Sequence, residues 1–183
     1  FDGQEITVRI AKAGDWTEKL AKRVKVGSRA MLSKPTGELK LDSRKSESRV
    51  WFAAGSGVAP YLSSEELILD PKPTKLVYSY RGESSAMALG QLRALAAENI
   101  GFELVEIDTL VRDRLSELEI TELTSSAAHV VACGPEALID SVRRNSRSKS
   151  FDFEMYDYRL SYDPRPWVKT SYTKIREFIG SRF

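Results

Sequence analysis

The sequence has little of the residues that build metal centres and disulfides. Its 183 residues include one cysteine, Cys133, and one histidine, His129. A single cysteine excludes an intrachain disulfide and any metal or iron–sulfur site made from several cysteines. A single histidine argues against a histidine-based metal site and against a Ser-His-Asp triad. We therefore predict no metal site, and cysteine usage fits a reducing compartment.

Strong charge and long hydrophobic runs are also missing. The net charge is only +2, which favours binding neither to nucleic acid nor to a membrane surface. No apolar run reaches the roughly 20 residues that span a bilayer, and no signal peptide is visible. The chain begins at Phe1 in strand-like sequence without an initiator methionine. We expect the chain to be a piece of a longer protein. Whether that protein also has a membrane portion outside this chain stays open.

The most informative stretch is residues 50–62, where an apolar run is followed by Gly55, Gly57 and then Pro60. This pattern predicts a strand, a tight turn and a helix start, a geometry that offers backbone N–H groups to a phosphate. The usual dinucleotide fingerprint is missing, because Pro60 replaces its third glycine and the next strand ends at Arg81 instead of an acidic residue. Taken alone, the stretch is more typical of an ordinary strand–helix turn.

From residue 47 to residue 159, strand and helix patterns alternate. Strands are predicted at 50–54, 75–80, 102–107, 128–133 and 151–156, and helices near 59–69, 84–98, 115–123 and 135–146. This alternation predicts an α/β fold, a parallel five-stranded sheet flanked by helices. Ligands bind beyond the carboxyl ends of such strands. The turns at 55–60, 81–85, 108–114 and 133–136 should therefore share one rim.

The two ends of the chain have a different character. Residues 1–46 contain short strand patterns at 5–10, 26–32 and 39–41, which suggest an incomplete β-barrel segment. Between them, residues 18–22 suit a short helix that Asp15 or Thr17 could cap. Residues 160–183 form a C-terminal tail with a short amphipathic helix pattern and no assigned role.

Three motifs follow one another along the chain: Ala-Gly-Ser-Gly-Val-Ala-Pro at 54–60, Cys-Gly-Pro at 133–135 and Phe-Glu-Met-Tyr-Asp-Tyr-Arg at 153–159. Together they resemble the ordered motifs of the ferredoxin–NADP reductase superfamily. Within it, they are most similar to those of the ferric reductase and NADPH oxidase branch. The resemblance covers residues 5–159. It implies that residues 1–46 are part of a flavin-binding barrel and residues 47–159 an NAD(P)-binding domain.

The resemblance also implies roles for particular residues. The first turn of the family holds the pyrophosphate of the nicotinamide cofactor, here Gly55, Ser56, Gly57 and Pro60. The Cys-Gly-Pro turn lies beside the nicotinamide ring, here Cys133, Gly134 and Pro135. A Gly-x-x-Thr turn contacts the flavin pyrophosphate, here Gly14, Trp16 and Thr17, and an aromatic residue covers the flavin ring, here Tyr156. The family's upstream Arg-x-Tyr-Ser/Thr flavin motif has no counterpart, so a preceding part was removed or half of the flavin site is lost.

Side chains along the predicted rim leave alternatives open. A cation at Arg81 favours a 2′-phosphate, and hence NADP over NAD, while Ser84 and Ser85 could equally cap the next helix. Arg114, with Arg112 beside it, fits a second phosphate contact or a solvated loop. Nearby basic groups lower a thiol pKa, and Cys133 has none identifiable, so we do not interpret it as a nucleophile.

Strand 151–156 also carries an expectation about its two faces. Phe151, Phe153 and Met155 should face the core, and Tyr156 should share the opposite face with Asp152 and Glu154. The tyrosine either covers a flavin or is an ordinary edge-strand residue. His129 is interpreted as structural, because it begins its strand at the end away from the rim.

The preferred function is an NAD(P)H-dependent flavin oxidoreductase. It would pass a hydride from NADPH, or from NADH, to FAD, and then single electrons to a metal, haem or protein acceptor. Nucleic acid is excluded as a partner, and the expected location is the cytoplasm or the cytoplasmic face of a membrane. The alternative is a non-catalytic nucleotide-sensing or partner-binding module on a reductase scaffold.

Overall fold

The computed structural model describes residues 15–31, 48–62 and 73–155, together with positions 8, 10, 39 and 41. Its helices are α1 (Asp15–Arg23), α2 (Ala59–Leu62), α3 (Leu89–Glu98), α4 (Glu117–Leu123) and α5 (Glu136–Asn145). Its strands are β1 (Arg49–Ala54), β2 (Thr74–Tyr80), β3 (Phe102–Asp108), β4 (His129–Gly134) and β5 (Phe151–Met155). Short 3-10 turns follow β1 at Gly55–Val58 and β2 at Glu83–Ser85.

The five strands form one parallel sheet in the order β3-β2-β1-β4-β5. This confirms the predicted fold class, and the described strand bounds agree with the predicted ones to within one residue. The centre of the sheet reads as nearly continuous apolar sequence because helices cover both of its faces. None of the helices within the described residues is long and apolar enough to span a bilayer.

The core has one part on each face of the sheet, since successive side chains of a strand point to opposite sides. One part, which includes Trp51, Tyr78 and Cys133, packs with residues of α2 and α3. The other part, which includes Phe52 and Ala132, packs with residues of α4 and α5. The central strands β1 and β4 are therefore fixed on both faces.

The helix predicted at 84–98 begins late, at Leu89. Residues 83–85 form a 3-10 turn instead, and Ala88 just before the helix has a φ of 55°. A left-handed residue cannot continue a right-handed helix, so the helical pattern of the sequence begins earlier than the helix. The helix predicted at 59–69 does begin at Ala59, and its part beyond Leu62 lies outside the described residues.

Of the first segment, α1 and its following turn are described. Helix α1 begins at Asp15, so Asp15 and Thr17 lie in its first turn, and the predicted cap positions were wrong. An acid in the first turn still interacts favourably with the helix dipole. Residues 28–31 are not in a strand, in contrast to the pattern at 26–32. The other barrel strands and the tail lie wholly or almost wholly outside the described residues, so the domain division stays a prediction.

The apolar face of strand β5 is less buried than the sequence predicts. Phe153 and Met155, which were expected to face the core, are 41% and 42% exposed and are therefore not buried in it. The strand lies at the edge of the sheet, where its cover is thinner. Phe151 is only partly buried against the core, and the guanidinium of Arg143 lies 4.3 Å from the ring centre of Phe153.

Candidate functional site at the carboxyl ends of β1 and β4

The topology defines one crevice at the carboxyl edge of the sheet. From β1 the chain builds outwards through β2 to β3 and then returns to place β4 on the other side of β1. In sheets of this kind, ligands bind at the point where the strand order reverses. Here that point lies between the ends of β1 and β4. The turns after those two strands are the ones that the sequence predicts to bind a nicotinamide cofactor.

These two turns are in direct contact at Gly57. A Cβ atom on Gly57 would lie 2.2 Å from the carbonyl oxygen of Cys133 and 2.7 Å from its carbonyl carbon. Both are backbone atoms, which move only if the strand moves. Gly134 is packed less tightly, with its Cβ position 3.1 Å from Leu138 Cδ2 and 3.2 Å from Ala54 Cβ. A glycine is therefore required at position 57 to bring the two turns together.

The outer side of the turn after β1 is open. Gly55 has a φ of +53°, and a Cβ at that position would meet no atom within 4 Å. Ser56 and Pro60 are partly exposed beside it, and residues 55–60 carry no acidic side chain. A turn of this kind brings backbone N–H groups close to a phosphate without repelling it. The residues present therefore fit the diphosphate of a dinucleotide.

Cys133 lies beside the crevice, but its side chain belongs to the core. It is fully buried in the same core cluster as Trp51 and Tyr61. Burial, with a smaller contribution from the charge of Glu154, raises the pKa of its thiol to about 12. The thiol therefore stays neutral, which agrees with the interpretation that it is not a nucleophile. Its predicted place beside a nicotinamide ring stays a prediction, as do those of Gly134 and Pro135.

The turn after β2 is held mainly by hydrogen bonds to its own backbone and to β3. The N–H groups of Gly82 and Leu110 donate to the same oxygen of Asp108, at 2.8 and 2.9 Å. The hydroxyl of Ser85 donates to the carbonyl oxygens of Arg81 and Gly82, at 2.7 and 3.0 Å. These bonds favour the interpretation of Ser85 as a residue that stabilises its own turn.

The predicted basic groups of the rim divide into two kinds. Arg81 and Arg114 are exposed, and within the described part of the chain their guanidinium groups make neither a hydrogen bond nor an ion pair. Ser84 is also exposed. Arg112, in contrast, pairs with Glu119 at the start of α4. Of the three arginines of the predicted rim, Arg81 and Arg114 are thus the two whose charge the described residues leave available to an anion.

A charged network next to the β2 turn was not predicted from the sequence. Arg93 on α3 contacts Glu83 at 2.6 Å and Glu106 on β3 at 2.8 Å, and the hydroxyl of Tyr80 donates to Glu106 at 2.6 Å. Burial and the bond to Glu106 raise the pKa of Tyr80 to about 12, and Arg93 lowers the pKa of Glu106. The signal of this network in the sequence is Glu106, an acid that interrupts the apolar pattern of β3.

The predicted flavin contacts are only partly described. Gly14 and Tyr156 lie outside the described residues, while Trp16 and Thr17 lie in α1, where Trp16 is 71% exposed. Their roles stay predictions. Among the residues that the structure does describe, no three His, Cys, Asp or Glu side chains gather in a way that could hold a metal ion.

The chain is similar to known proteins both in sequence and in fold. The chain matches no protein-family model. It is 29% identical over 133 residues to the heme-dependent oxidative N-demethylase beta subunit of Ectopseudomonas mendocina, covering 72% of this chain and 41% of that one. It is 31% identical over 99 residues to methane monooxygenase component C of Methylosinus trichosporium, covering 52% and 29%. An NADPH oxidoreductase of Mycobacterium tuberculosis is 26% identical, with coverage of 74% and 37%. The chain thus spans well under half the length of these relatives.

Solved structures show the same fold. The CS-b5R domains of human Ncb5or, in their NAD+ form, match with a TM-score of 0.64 and 21% identity over 80% of this chain and 48% of that chain. Ferredoxin–NADP+ reductase from Plasmodium falciparum with 2′P-AMP matches with a TM-score of 0.59 and 14% identity, covering 82% and 69%. Together with the strand order, these matches show that the described residues 48–62 and 73–155 have the fold of the NADP-binding domain of ferredoxin–NADP reductase-type proteins.

Proposed function

We propose that this chain is the pyridine-nucleotide half of an NAD(P)H-dependent flavin oxidoreductase. The observation that carries the proposal is the contact between Gly57 and the Cys133 carbonyl at the reversal point of the sheet. It brings together the two turns that the family resemblance assigns to the cofactor's pyrophosphate and nicotinamide. The relatives' names, an NADPH oxidoreductase, a methane monooxygenase component and an oxidative N-demethylase subunit, agree with this class.

The chain's own contribution is binding and positioning. Gly55, Ser56 and Gly57 would hold the diphosphate through backbone N–H groups, with Pro60 in the first turn of the helix behind them. Gly134 and Pro135 would orient the nicotinamide, and the neutral, buried thiol of Cys133 would add no charge beside it. The bound nicotinamide supplies a hydride and the flavin accepts it. Positioning two reactants in this way replaces a rare encounter by a fixed geometry.

The adenosine end favours NADPH in this proposal. Arg81 lies at the carboxyl end of β2, where the 2′-position of an adenosine would be read. Glu83 is close in sequence, but its carboxylate is paired with Arg93 at 2.6 Å. The neighbouring negative charge is thus partly compensated, while the Arg81 side chain extends into solvent. An exposed guanidinium suits a 2′-phosphate better than a 2′-hydroxyl.

The flavin, the acceptor and the location extend the proposal beyond this chain. FAD would be held mainly by a portion outside it, with Gly14, Trp16, Thr17 and Tyr156 completing the site. The relatives' names include a heme-dependent demethylase subunit and a methane monooxygenase component, which favours a metal or haem acceptor in a partner protein. The ferric reductase and NADPH oxidase branch, and a place in the cytoplasm or on its membrane face, rest on the sequence motifs and on the single cysteine.

Two measurements test the proposal. Titration of the full-length protein with NADPH and with NADH should release heat and shift the amide signals of residues 55–57. Rapid mixing of the flavin-loaded protein with NADPH should bleach the absorbance of the oxidised flavin. Binding without bleaching would reject the reductase, and no binding of either nucleotide would reject the nucleotide site itself.

The alternative is a nucleotide-sensing module on the same scaffold. Its motivation is the missing Arg-x-Tyr-Ser/Thr motif, without which half of the flavin contacts of the family have no counterpart here. Addition of FAD separates the two functions. A full-length protein that turns yellow favours the enzyme, whose activity the bleaching experiment then tests, whereas one that binds NADPH and never takes up flavin is the sensor.

A further inference from the structure

A tyrosine behind the turn after β1 joins it to a second loop. Tyr78 on β2 is fully buried, and its hydroxyl donates to the carbonyl oxygen of Gly55 at 3.2 Å. The same hydroxyl oxygen accepts the N–H of Met87 at 2.8 Å. One phenol group therefore contacts the backbone of the predicted diphosphate turn and the backbone of the loop before α3. In the sequence, Tyr78 is one of the apolar residues of a predicted core strand.

The bond to Gly55 has a consequence for the next N–H group. A trans peptide is planar, so the carbonyl of Gly55 and the N–H of Ser56 point in opposite directions within one plane. Tyr78 holds that carbonyl from the core side, and this directs the Ser56 N–H away from the core. The 3-10 turn of Gly55–Val58 already restrains this peptide, but Gly55, with a φ of +53°, is a residue of wide conformational freedom, and the tyrosine adds a second restraint on its carbonyl.

We propose that Tyr78 is a positioning residue, whose hydroxyl fixes the Gly55–Ser56 peptide so that the Ser56 N–H faces the crevice and donates to a diphosphate. The proposal rests on the proposed nucleotide-binding function and deepens it. Its effect on a ligand is expected at the diphosphate, because the bond to Gly55 acts on a peptide of that turn, whereas the bond to Met87 lies at the far end of the loop that begins with Arg81. The 2′-phosphate end, at Arg81, is read by different groups.

Two further observations fit this role. Burial raises the pKa of the Tyr78 phenol, so the group remains a hydrogen-bond donor throughout the neutral range. The loop that it contacts ends at Ala88, whose φ of 55° is uncommon for a residue other than glycine. Such a conformation persists where its surroundings hold it, and the Met87–Tyr78 bond lies one residue away. Tyr78 thus keeps two irregular segments in register.

The test uses Tyr78→Phe, which removes the hydroxyl and keeps the ring. Its matched control is Tyr61→Phe, since Tyr61 is also fully buried and its hydroxyl donates to the carbonyls of Phe52 and Val131 within the sheet. In the full-length protein, Tyr78→Phe should raise the dissociation constant of NADP+ about fivefold to tenfold, the loss of one oriented hydrogen bond. Tyr61→Phe should change it less than about twofold, although both variants lose some stability.

A second probe isolates the diphosphate. Adenosine 2′-monophosphate lacks a diphosphate, so its affinity should change less than about twofold in Tyr78→Phe. In steady-state kinetics the variant should raise KM for NADPH with little change in kcat, since uniform binding is lost. Equal losses for NADP+ and the monophosphate, or equal losses in both tyrosine variants, would overturn the proposal.

The wild-type protein supplies a readout that does not depend on any variant's folding. Addition of NADP+ should move the amide signal of Ser56 more than those of residues in β3. A wild-type protein that binds NADP+ with an unmoved Ser56 amide would overturn the role of Tyr78 alone. A wild-type protein that does not bind NADP+ would instead overturn the proposed function.

Discussion

The two sides of the crevice are built by different means. On the side of β1 and β4, backbone packs on backbone, and Gly57 has no room for a methyl group beside the Cys133 carbonyl. On the side of β2 and β3, the turn is held by hydrogen bonds to its own backbone and to Asp108. A network of charged side chains lies beside it, with Arg93 between Glu83 and Glu106. The first side is buried, whereas the ion pairs of the second are partly exposed.

This difference has a consequence for how each side tolerates change. Close backbone packing accepts one residue type, because any added atom displaces a strand. Exposed ion pairs each contribute little and can be replaced by others. A cofactor's diphosphate is common to NADH and NADPH, whereas its 2′-group is not. We call the side of β1 and β4 the rigid side and the side of β2 and β3 the adjustable side. In the proposed complex, the rigid side would face the diphosphate, and the adjustable side would face the 2′-group that differs between NADH and NADPH.

The largest effect is expected on the rigid side, from Gly57→Ala. A Cβ would lie 2.2 Å from a backbone oxygen, so β1 and β4 must separate. We expect a loss of about 3 kcal/mol in the free energy of unfolding, measured by urea denaturation. Displacement of the turn should also weaken NADPH binding by roughly 100-fold, measured by calorimetry.

The matched control is Gly90→Ala on α3. Gly90 is exposed in a helix and its Cβ position meets no atom within 4 Å. This substitution should raise the free energy of unfolding by about 0.5 kcal/mol, because alanine favours the helix. Similar losses in the two variants would remove the distinction between a packed glycine and an ordinary one.

The next effect concerns the thiol of Cys133. Its pKa of about 12 in the folded protein exceeds the ordinary value of 9.0, so the neutral thiol contributes stability that is present below pH 9 and is lost as the pH rises towards 12. At pH 8 the native protein should react with a disulfide reagent about 100-fold more slowly than the unfolded chain. Since the chain has one cysteine, the absorbance change reports this group alone.

Protein unfolded in guanidinium provides the control, because its thiol should react at the rate of a free cysteine. Rapid labelling of the native protein would show that the end of β4 opens easily. The rigid side of the crevice would then be no more fixed than the charged side.

Much of the rigid side could be predicted from the sequence. The apolar runs and their spacing predicted five parallel strands to within one residue, because burial on both faces leaves a continuous apolar signal. The glycines at 55 and 57 predicted a tight turn for the same reason that the structure requires one at 57. Gly57 and Cys133 are 76 positions apart in sequence. Their direct contact follows only from the strand order, which places β4 beside β1.

The charged side could not be predicted in the same way. Arg93, Glu83 and Glu106 are ordinary surface residues in the sequence, and no local pattern says which charges will meet across a helix and two strands. The start of α3 was misplaced because a helical pattern does not reveal a left-handed Ala88. The role of Tyr78 was missed because the sequence does not distinguish it from any other aromatic residue of a core strand. Only the structure shows which groups its hydroxyl bonds to.

A moderate effect is expected from Arg81→Ala on the adjustable side. The loss of an exposed cation should raise KM for NADPH about tenfold and leave KM for NADH within about twofold, because only the former carries a 2′-phosphate. The difference should shrink as salt is added. Arg114→Ala is the control from the neighbouring loop, since that arginine is equally exposed. A larger effect on NADPH at position 114 than at position 81 would transfer the specificity to the loop after β3.

The smallest effect is expected from Glu106→Gln, which removes the charge that Arg93 and Tyr80 share. At pH 7 the free energy of unfolding should fall by only about 1 kcal/mol, since the group lies near the surface. The folded pKa of Glu106 lies below the ordinary 4.5, so its contribution is present above pH 4.5 and is lost as the pH falls below that value. The difference in the free energy of unfolding between wild type and variant should therefore become smaller in acid.

The control is Glu103→Gln, which breaks an exposed pair with Lys75 at 3.1 Å and should lower the free energy of unfolding by less than about 0.5 kcal/mol. A loss at Glu106 as large as that at Gly57 would mean that the charged network, too, is fixed by burial, and the contrast between the two sides would fail.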